Sequence, residues 1–233
     1  MRHKGLVALV LAAALALIWA PAGASPESQI VVQGTASGSH LRLSVSDNRL
    51  YVAGWMSPLE PIGCNFERYR RVAVCPLASA GAVEIDMGSE NDVVEVLDPL
   101  PVPLTAHLGD GSDRFIGNSE PDTCYSEGAR RNRCIGGDGD DICITGKENS
   151  DCVGDAGDDY CQTGAGSDGC WGGPGNDVCR MGPGQDGCHG ESGADRLFGG
   201  PGRDQLYGGP SYDHCDGLPG WGRSHGCETG PRS

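Results

Sequence analysis

An aspartate recurs every nine residues through the second half of this chain, and two residues after it stands, in most cases, a cysteine. Nine consecutive units begin at Gly136, Thr145, Gly154, Thr163, Gly172, Met181, Gly190, Gly199 and Gly208, with no insertion between them. GGPGNDVCR (172–180) and GGPGRDQLY (199–207) show the pattern G-G-x-G-x-D-x-U-x, in which U is an inward residue. Two chemistries follow. Carboxylates beside glycine-rich turns, whose backbone can present its carbonyls, are a set of hard oxygen donors, and calcium takes six to eight of them. The U position is Cys143, Cys152, Cys161, Cys170, Cys179, Cys188, Leu197, Leu206 and Cys215, so sulfur also recurs in register.

Such a nonapeptide makes a six-residue turn and a three-residue strand, and two of them make one coil of a β-roll. Residues eighteen apart then stack about 4.8 Å apart, one strand spacing. Two columns result. The first holds Asp122, Asp141, Asp159, Asp177, Asp195 and Asp213, with Gly139, Gly157, Gly175 and Gly193 in its turns. The second holds Asp113, Asn132, Ser150, Asp168, Asp186 and Asp204, with Gly166, Gly184 and Gly202 in its turns. Stacked carboxylates repel unless a cation lies between them. The first column is unbroken from Asp141 to Asp213; the second is intact only across Asp168, Asp186 and Asp204, because Asn132 and Ser150 carry no carboxylate and Glu148 replaces a turn glycine. Calcium is therefore expected mainly at the first edge and at the C-terminal half of the second. Aspartate also favours turns for its own sake, but one fixed position in unit after unit is more than turn formation requires.

On these motifs, residues 108–216 resemble the RTX, or haemolysin-type, calcium-binding repeat family. Residues 30–116 are similar to the lead-in of secreted bacterial proteins of this type, with Cys64 and Cys75-Pro76 as a clip before a first turn at Gly109-Asp110-Gly111-Ser112-Asp113. The resemblance implies an all-β, parallel β-roll (a two-sheet β-solenoid) with calcium in its turns. Two features depart from the family: its inward residue is usually Leu, Ile, Val or Phe, and its members usually leave the cell on a C-terminal signal.

Twelve cysteines in an exported chain read as disulfides. Cys64 and Cys75 form a local clip, and Cys215 lies near Cys227 in sequence. Successive inward cysteines lie on opposite sheets, so two phases are open. One pairs Cys134/Cys143, Cys152/Cys161 and Cys170/Cys179. The other pairs Cys124/Cys134, Cys143/Cys152, Cys161/Cys170 and Cys179/Cys188, and uses all eight. A disulfide needs Cα atoms about 4.4–6.8 Å apart, below the usual sheet separation of about 10 Å, so bridging demands a thin roll. Buried free thiols are the alternative. A thiolate metal cluster does not suit a spacing of nine, since structural zinc sites use shorter ones.

The elements that must position these groups fall in order along the chain. Residues 1–24 read as a secretory signal: Arg2 and Lys4, an apolar run over 6–18, then Ala22-Gly23-Ala24. Residues 25–107 form a β lead-in whose alternating stretches include Ile30–Gln33, Leu41–Val45 and Leu50–Ala53; within it MGSENDVVE (87–95) fits the nonapeptide with Asp92 as its acid, before a proline-rich interruption at 98–104. The regular roll runs over 108–216, and 217–233 is a cap of the kind repeat arrays require. The expected location is extracellular, with no transmembrane segment in the mature chain. A net charge of −15 excludes nucleic acid as a partner and favours cations. His40, His107, His189, His214 and His225 form no H-E-x-x-H motif, and no G-x-S-x-G is present, so no catalytic reading survives. The ninth positions Ile116, Ile135, Val153, Trp171, His189 and Tyr207 should stack on one outer sheet, with Gly169 and Gly187 beside them. Such a stripe suits a cell-surface or self-association partner, unless the N-terminal segment covers it.

Overall fold

A computed structural model of the chain describes residues 28–33, 38–54, 64–67, 72–78, 80–126, 128, 130–217 and 222–228. The signal segment at 1–24 lies outside these residues. The described chain is all β. Six-residue turns rich in glycine cannot propagate a helix, and the three residues between them alternate outward, inward, outward, as a strand requires. Arg196–Phe198, for example, is exposed, buried, half-buried along RLF.

Two parallel sheets face each other. One runs Ser28–Gln33, Ala80–Asp86, Leu104–His107, Asp122–Ser126, Ile142–Thr145, Tyr160–Gln162, Val178–Arg180, Arg196–Phe198 and His214–Asp216, each strand bonded to the next. The other takes the alternate strands from Val93–Val96 to Arg223–His225, every one parallel to its neighbour. Within the regular array the register is eighteen residues: Cys143 opposes Cys161, and Cys161 opposes Cys179. This is the parallel β-roll. It begins before the regular repeats, because the strands Ala80–Asp86 and Val93–Val96 already belong to the two sheets.

The second sheet ends in an antiparallel extension. His40–Ser46 pairs in parallel with Val93–Val96 on one side and antiparallel with Arg49–Gly54 on the other. Asp47 and Asn48 join this hairpin with φ of 51° and 58°, the left-handed pair that a tight two-residue hairpin loop requires. Val72–Pro76 and Asn65–Glu67 complete it, and Cys64–Cys75 bonds its outermost strands.

The core is one continuous column between the sheets whose composition changes along its length. At the N-terminal end it is aliphatic: Val32, Leu41, Leu43, Leu50, Val83, Ile85, Val94 and Leu104, closed by Phe115. From Cys124 to Cys188 it is sulfur, and at the far end Leu197 and Leu206 return it to larger groups before Cys215. A gap bordered by Phe115, Cys124, Cys134, Cys143 and Cys161 in the cysteine stretch measures about 10 Å³, at the lower limit for one water.

On the outer face of the second sheet the ninth positions form the expected row, with Ile116, Ile135, Val153, Trp171, His189 and Tyr207 in register. The rings of Trp171 and His189 stack at 6.1 Å, His189 and Tyr207 at 4.6 Å, and Tyr207 and His225 at 5.2 Å. The Trp171 ring lies over Gly169, where a side chain would collide with it. The N-terminal strand Ser28–Gln33 sits at the end of the opposite sheet, not against this row.

Candidate metal centre

The two aspartate columns stand at the two edges of the roll, and their members are buried: Asp122, Asp141, Asp159, Asp177, Asp195 and Asp213 at the first edge, Asp113, Asp168, Asp186 and Asp204 at the second. Each carboxylate after Asp122 at the first edge, and each at the second, does one structural job. Its Oδ1 accepts the backbone N–H of the residue one coil earlier. Along the first edge Asp122 N–H donates to Asp141 (2.7 Å), Asp141 to Asp159 (2.8 Å), Asp159 to Asp177 (2.8 Å), Asp177 to Asp195 (2.9 Å) and Asp195 to Asp213 (2.9 Å). Along the second, Ser150 N–H donates to Asp168 (2.7 Å), Asp168 to Asp186 (2.9 Å) and Asp186 to Asp204 (3.1 Å).

The other oxygen has nothing to do. Oδ2 of Asp141, Asp159, Asp177, Asp195 and Asp213, and of Asp113, Asp168, Asp186 and Asp204, is buried without a hydrogen-bond partner. An unpaired buried carboxylate oxygen carries the full cost of its lost hydration. The cost appears in the proton affinities. Burial, reinforced by neighbouring aspartates, pushes Asp141 up to about 8 and Asp177 and Asp186 to about 7, from a usual 3.8. Asp168, Asp195 and Asp204 are raised for the same first cause. Burial raises Asp122 to about 7 as well, but its Oδ2 accepts the N–H of Asn118 at 3.0 Å, so this oxygen, unlike those of the later members, has a partner.

Asn132 shows what the ladder alone needs. Its amide Oδ1 accepts the Asp113 N–H at 2.8 Å as well as any carboxylate does, with no charge to bury. Aspartate at the remaining positions therefore brings a charge that the backbone ladder does not use. A column of inward, unpaired, anionic oxygens one coil apart matches what a hard cation takes from a protein, and the residues fit calcium.

Glycine makes room for this arrangement. A Cβ on Gly136, Gly154, Gly172 or Gly190, each first in its unit, would collide with Oδ2 of Asp141, Asp159, Asp177 or Asp195. A Cβ on Gly157, Gly175 or Gly193 would collide with the carbonyl oxygen of Gly139, Gly157 or Gly175 one coil earlier, and these turn glycines hold φ of 142–152°. Gly184 and Gly202 at the second edge meet the carbonyls of Gly166 and Gly184 in the same way. Each edge thus stacks carbonyl oxygens beside carboxylates.

The first position separates the edges. At the first edge it is Gly117, Gly136, Gly154, Gly172, Gly190 and Gly208; at the second it is Leu108, Ser126, Thr145, Thr163 and Met181, all buried, before Gly199. The second column also breaks where expected, at Ser150, whose hydroxyl turns to the Glu148 carbonyl at 2.9 Å. Two acids extend the columns beyond the expected set. Asp92 continues the second edge, taking the Ser39 N–H at 2.5 Å on Oδ1 while its Oδ2 stays unpaired. Glu228 ends the first edge, accepting the Asp213 N–H at 2.6 Å. The Asp92 unit is visible in the sequence, but the proline-rich stretch puts Asp113 twenty-one residues on, out of step with the array. Glu228 lies fifteen residues past Asp213 and carries no such signal.

Between the edges runs the sulfur column, bridged at Cys124–Cys134, Cys143–Cys152, Cys170–Cys179 and, into the cap, Cys215–Cys227. The three bridges within the array span Cα separations of 6.2–6.5 Å, so the roll is thin enough for them. The expectation that every cysteine is bonded is corrected at two positions: Cys161 and Cys188 are buried free thiols. The two pairing phases meet here. Both neighbours of Cys161, Cys152 and Cys170, are already bonded, and Cys179, the cross-roll partner of Cys188, is held by Cys170. Burial pushes both thiols well above their usual range.

The family model of the RTX calcium-binding nonapeptide repeat matches residues 153–179 and 189–220, in four copies. No curated protein and no solved structure matches the chain.

Proposed function

From the premise that residues 153–220 are RTX calcium-binding repeats, we propose that the protein is an exported β-roll module that holds calcium at both edges and is braced by disulfides. The carrying observation is the row of buried Oδ2 atoms without partners. At the first edge the ions would lie between successive members of Asp141, Asp159, Asp177, Asp195 and Asp213, with turn carbonyls of Gly139, Gly157, Gly175 and Gly193. At the second they would lie between Asp168, Asp186 and Asp204, with Gly166, Gly184 and Gly202. Asp122 begins the first column, and Asp113 stands near the start of the second, after Asp92. Calcium supplies the positive charge that lets these carboxylates stay ionised while buried. The chain's own work is to align the oxygens, exclude water and spare the ladder hydrogen bonds. We read the role of such a body as structural or binding. Calorimetry of the oxidised mature chain with calcium tests this: about six ions should bind in the regular array, one per interval between stacked carboxylates. No binding at millimolar calcium would overturn it.

A second reading adds a surface role, adhesion or assembly through the outer row. The stacked Trp171, His189, Tyr207 and His225 favour it, since they make one continuous aromatic ridge on a parallel sheet. Sedimentation with and without calcium, on the native chain and on Trp171→Ala, separates it from a purely structural role: a ridge that mediates assembly gives calcium-dependent oligomers that the variant loses.

A further inference from the structure

The sulfur column holds its bridges in two phases. Cys124–Cys134 and Cys143–Cys152 each join the two sheets within one coil, first sheet to second. Cys170–Cys179 instead joins the second sheet to the first strand of the following coil. That one slip leaves Cys161 free on one side of the bridge and Cys188 free on the other. The Sγ atoms of Cys161, Cys170 and Cys179 all lie within 4.8 Å of one another. Cys188 lies beside Cys170 in its sheet, and stands to Cys179 as Cys152 stands to Cys143.

We propose that Cys161, Cys170, Cys179 and Cys188 form a redox-active site: one mobile disulfide and one dithiol shared among four cysteines, closing to a sixth bridge by exchange with a small-molecule disulfide. In the first step the Cys161 sulfur bonds to the Cys170 sulfur while the Cys170–Cys179 bond breaks. Cys179 leaves with the bonding pair and takes the proton that Cys161 gives up, so no electrons enter or leave. By the mirror route Cys188 bonds to Cys179 and releases Cys170 beside Cys161. Either way the two thiols, formerly separated by a bridge, become a facing pair in one coil. That pair then reduces an external disulfide: two protein thiols become one S–S bond, and the reagent leaves as two thiols. The product is paired throughout in the phase its upstream neighbours already use.

The rearrangement also moves the cross-links. Cys170–Cys179 closes the turn 172–177 at the first edge; Cys161–Cys170 and Cys179–Cys188 close the turns 163–168 and 181–186 at the second. Oxidation would thus clamp the edge whose aspartate column is the shorter. This last step rests on the calcium reading; the exchange itself does not.

The test is disulfide mapping of the mature chain equilibrated with reduced and oxidised glutathione at a series of ratios, in chelator, then acid-quenched, alkylated and digested. The expected result is loss of two thiols per chain at one ratio, with Cys161–Cys170 and Cys179–Cys188 peptides replacing Cys170–Cys179. Below that ratio the alkyl label should be spread over all four cysteines. A chain isolated with all eight paired should lose these two bridges first, on oxidising one equivalent of dithiol reagent, with two thiols and Cys170–Cys179 in their place. The Cys161→Ser, Cys188→Ser double variant should show Cys170–Cys179 alone, at every ratio that leaves the other bridges intact. If the native chain carries label only on Cys161 and Cys188 at every such ratio, with Cys170–Cys179 unchanged, the site is inert and the proposal fails. Because no calcium is present, this failure is distinct from a failure to bind the ion.

Discussion

The two edges of the roll share one backbone ladder and differ in what stands beside it. At the first edge every unit from Gly117 to Gly208 opens with glycine and every column position from Asp122 to Asp213 is an acid. At the second edge the opening residues Leu108, Ser126, Thr145, Thr163 and Met181 are buried side chains, and the column passes through Asn132 and Ser150. Yet the strands pair in the same register on both sheets. The coil therefore tolerates a filled first position and a missing charge. What the first edge keeps, and the second partly gives up, is the anionic oxygen with room around it, which the backbone ladder does not need and the proposed calcium sites would use.

The largest effect expected bears on whether the edges or the sulfur column between them hold the molecule together. Far-ultraviolet circular dichroism under the four combinations of calcium and reductant should show the oxidised chain keeping much of its β-structure in chelator. The reduced chain should unfold in chelator and recover only partly with calcium. Each bridge contributes about 2–4 kcal/mol, low in that range for closures this short. If oxidised and reduced chains are equally disordered without calcium, the bridges do not brace the roll.

A methyl group placed at equivalent positions should sharpen the contrast. Gly172→Ala puts a Cβ into the Asp177 carboxylate. It should cost several-fold more stability than Thr163→Ala, which only trims a filled position and should cost about 1 kcal/mol. Equal losses in thermal unfolding would mean that the first-position glycines are not there for the carboxylates.

Asp177→Asn tests charge without touching the ladder, since Asn132 already shows an amide accepting the same hydrogen bond. Calcium stoichiometry should fall by about two, because one coil serves the interval above and the interval below. Melting in chelator should stay within about 1 kcal/mol of the native chain. A large loss without calcium would show that the charge itself is structural.

The smallest effect is on pH dependence. In the calcium-free chain Asp141, at about 8, and Asp177, at about 7, bind protons in the folded state that they release when unfolded, where 3.8 is usual. The folded state then holds more protons across roughly pH 4 to 8, so its stability is greatest at the acid end and falls as pH rises through that window. Calcium binds the ionised form and reverses the slope: its affinity should drop, and the protons released on binding should increase, as the solution is acidified from 8 towards 6. Calorimetry in buffers of different ionisation enthalpy measures those protons. A melting temperature in chelator that climbs with pH would contradict the buried-carboxylate picture.

Much of this was legible in the residues. The nine-residue period dictates the coil, and the alternation of units assigns each aspartate to its edge. The break at Ser150 and the outer aromatic row follow from the same counting. Asp92 could be read as the acid of its unit, but the proline-rich stretch shifts its spacing to twenty-one residues and hides its place in the column, and Glu228 reaches the column from a cap that has no period. The bridge phase was not legible for a different reason. Each cysteine from Cys134 to Cys179 has a cysteine about nine residues away on either side, so spacing offers it two partners, and counting from the ends favours the phase that uses all eight; the sulfurs in space keep that phase at Cys124–Cys134 and Cys143–Cys152 and leave it at Cys170–Cys179.

The hydrogen bonds that each aspartate carboxylate accepts from the N–H eighteen residues before it also set a grammar for how such a chain can change length. Excising eighteen residues, such as 154–171, removes one whole coil and leaves every later side chain facing its former kind of neighbour. Excising nine exchanges the edges: acids flanked by glycine would be stacked on coils that open with threonine or methionine, and the inward cysteines would change sheets. Growth and shortening of this protein should therefore proceed in units of one full coil, and natural length variants, or designed ones, that survive should differ by multiples of eighteen.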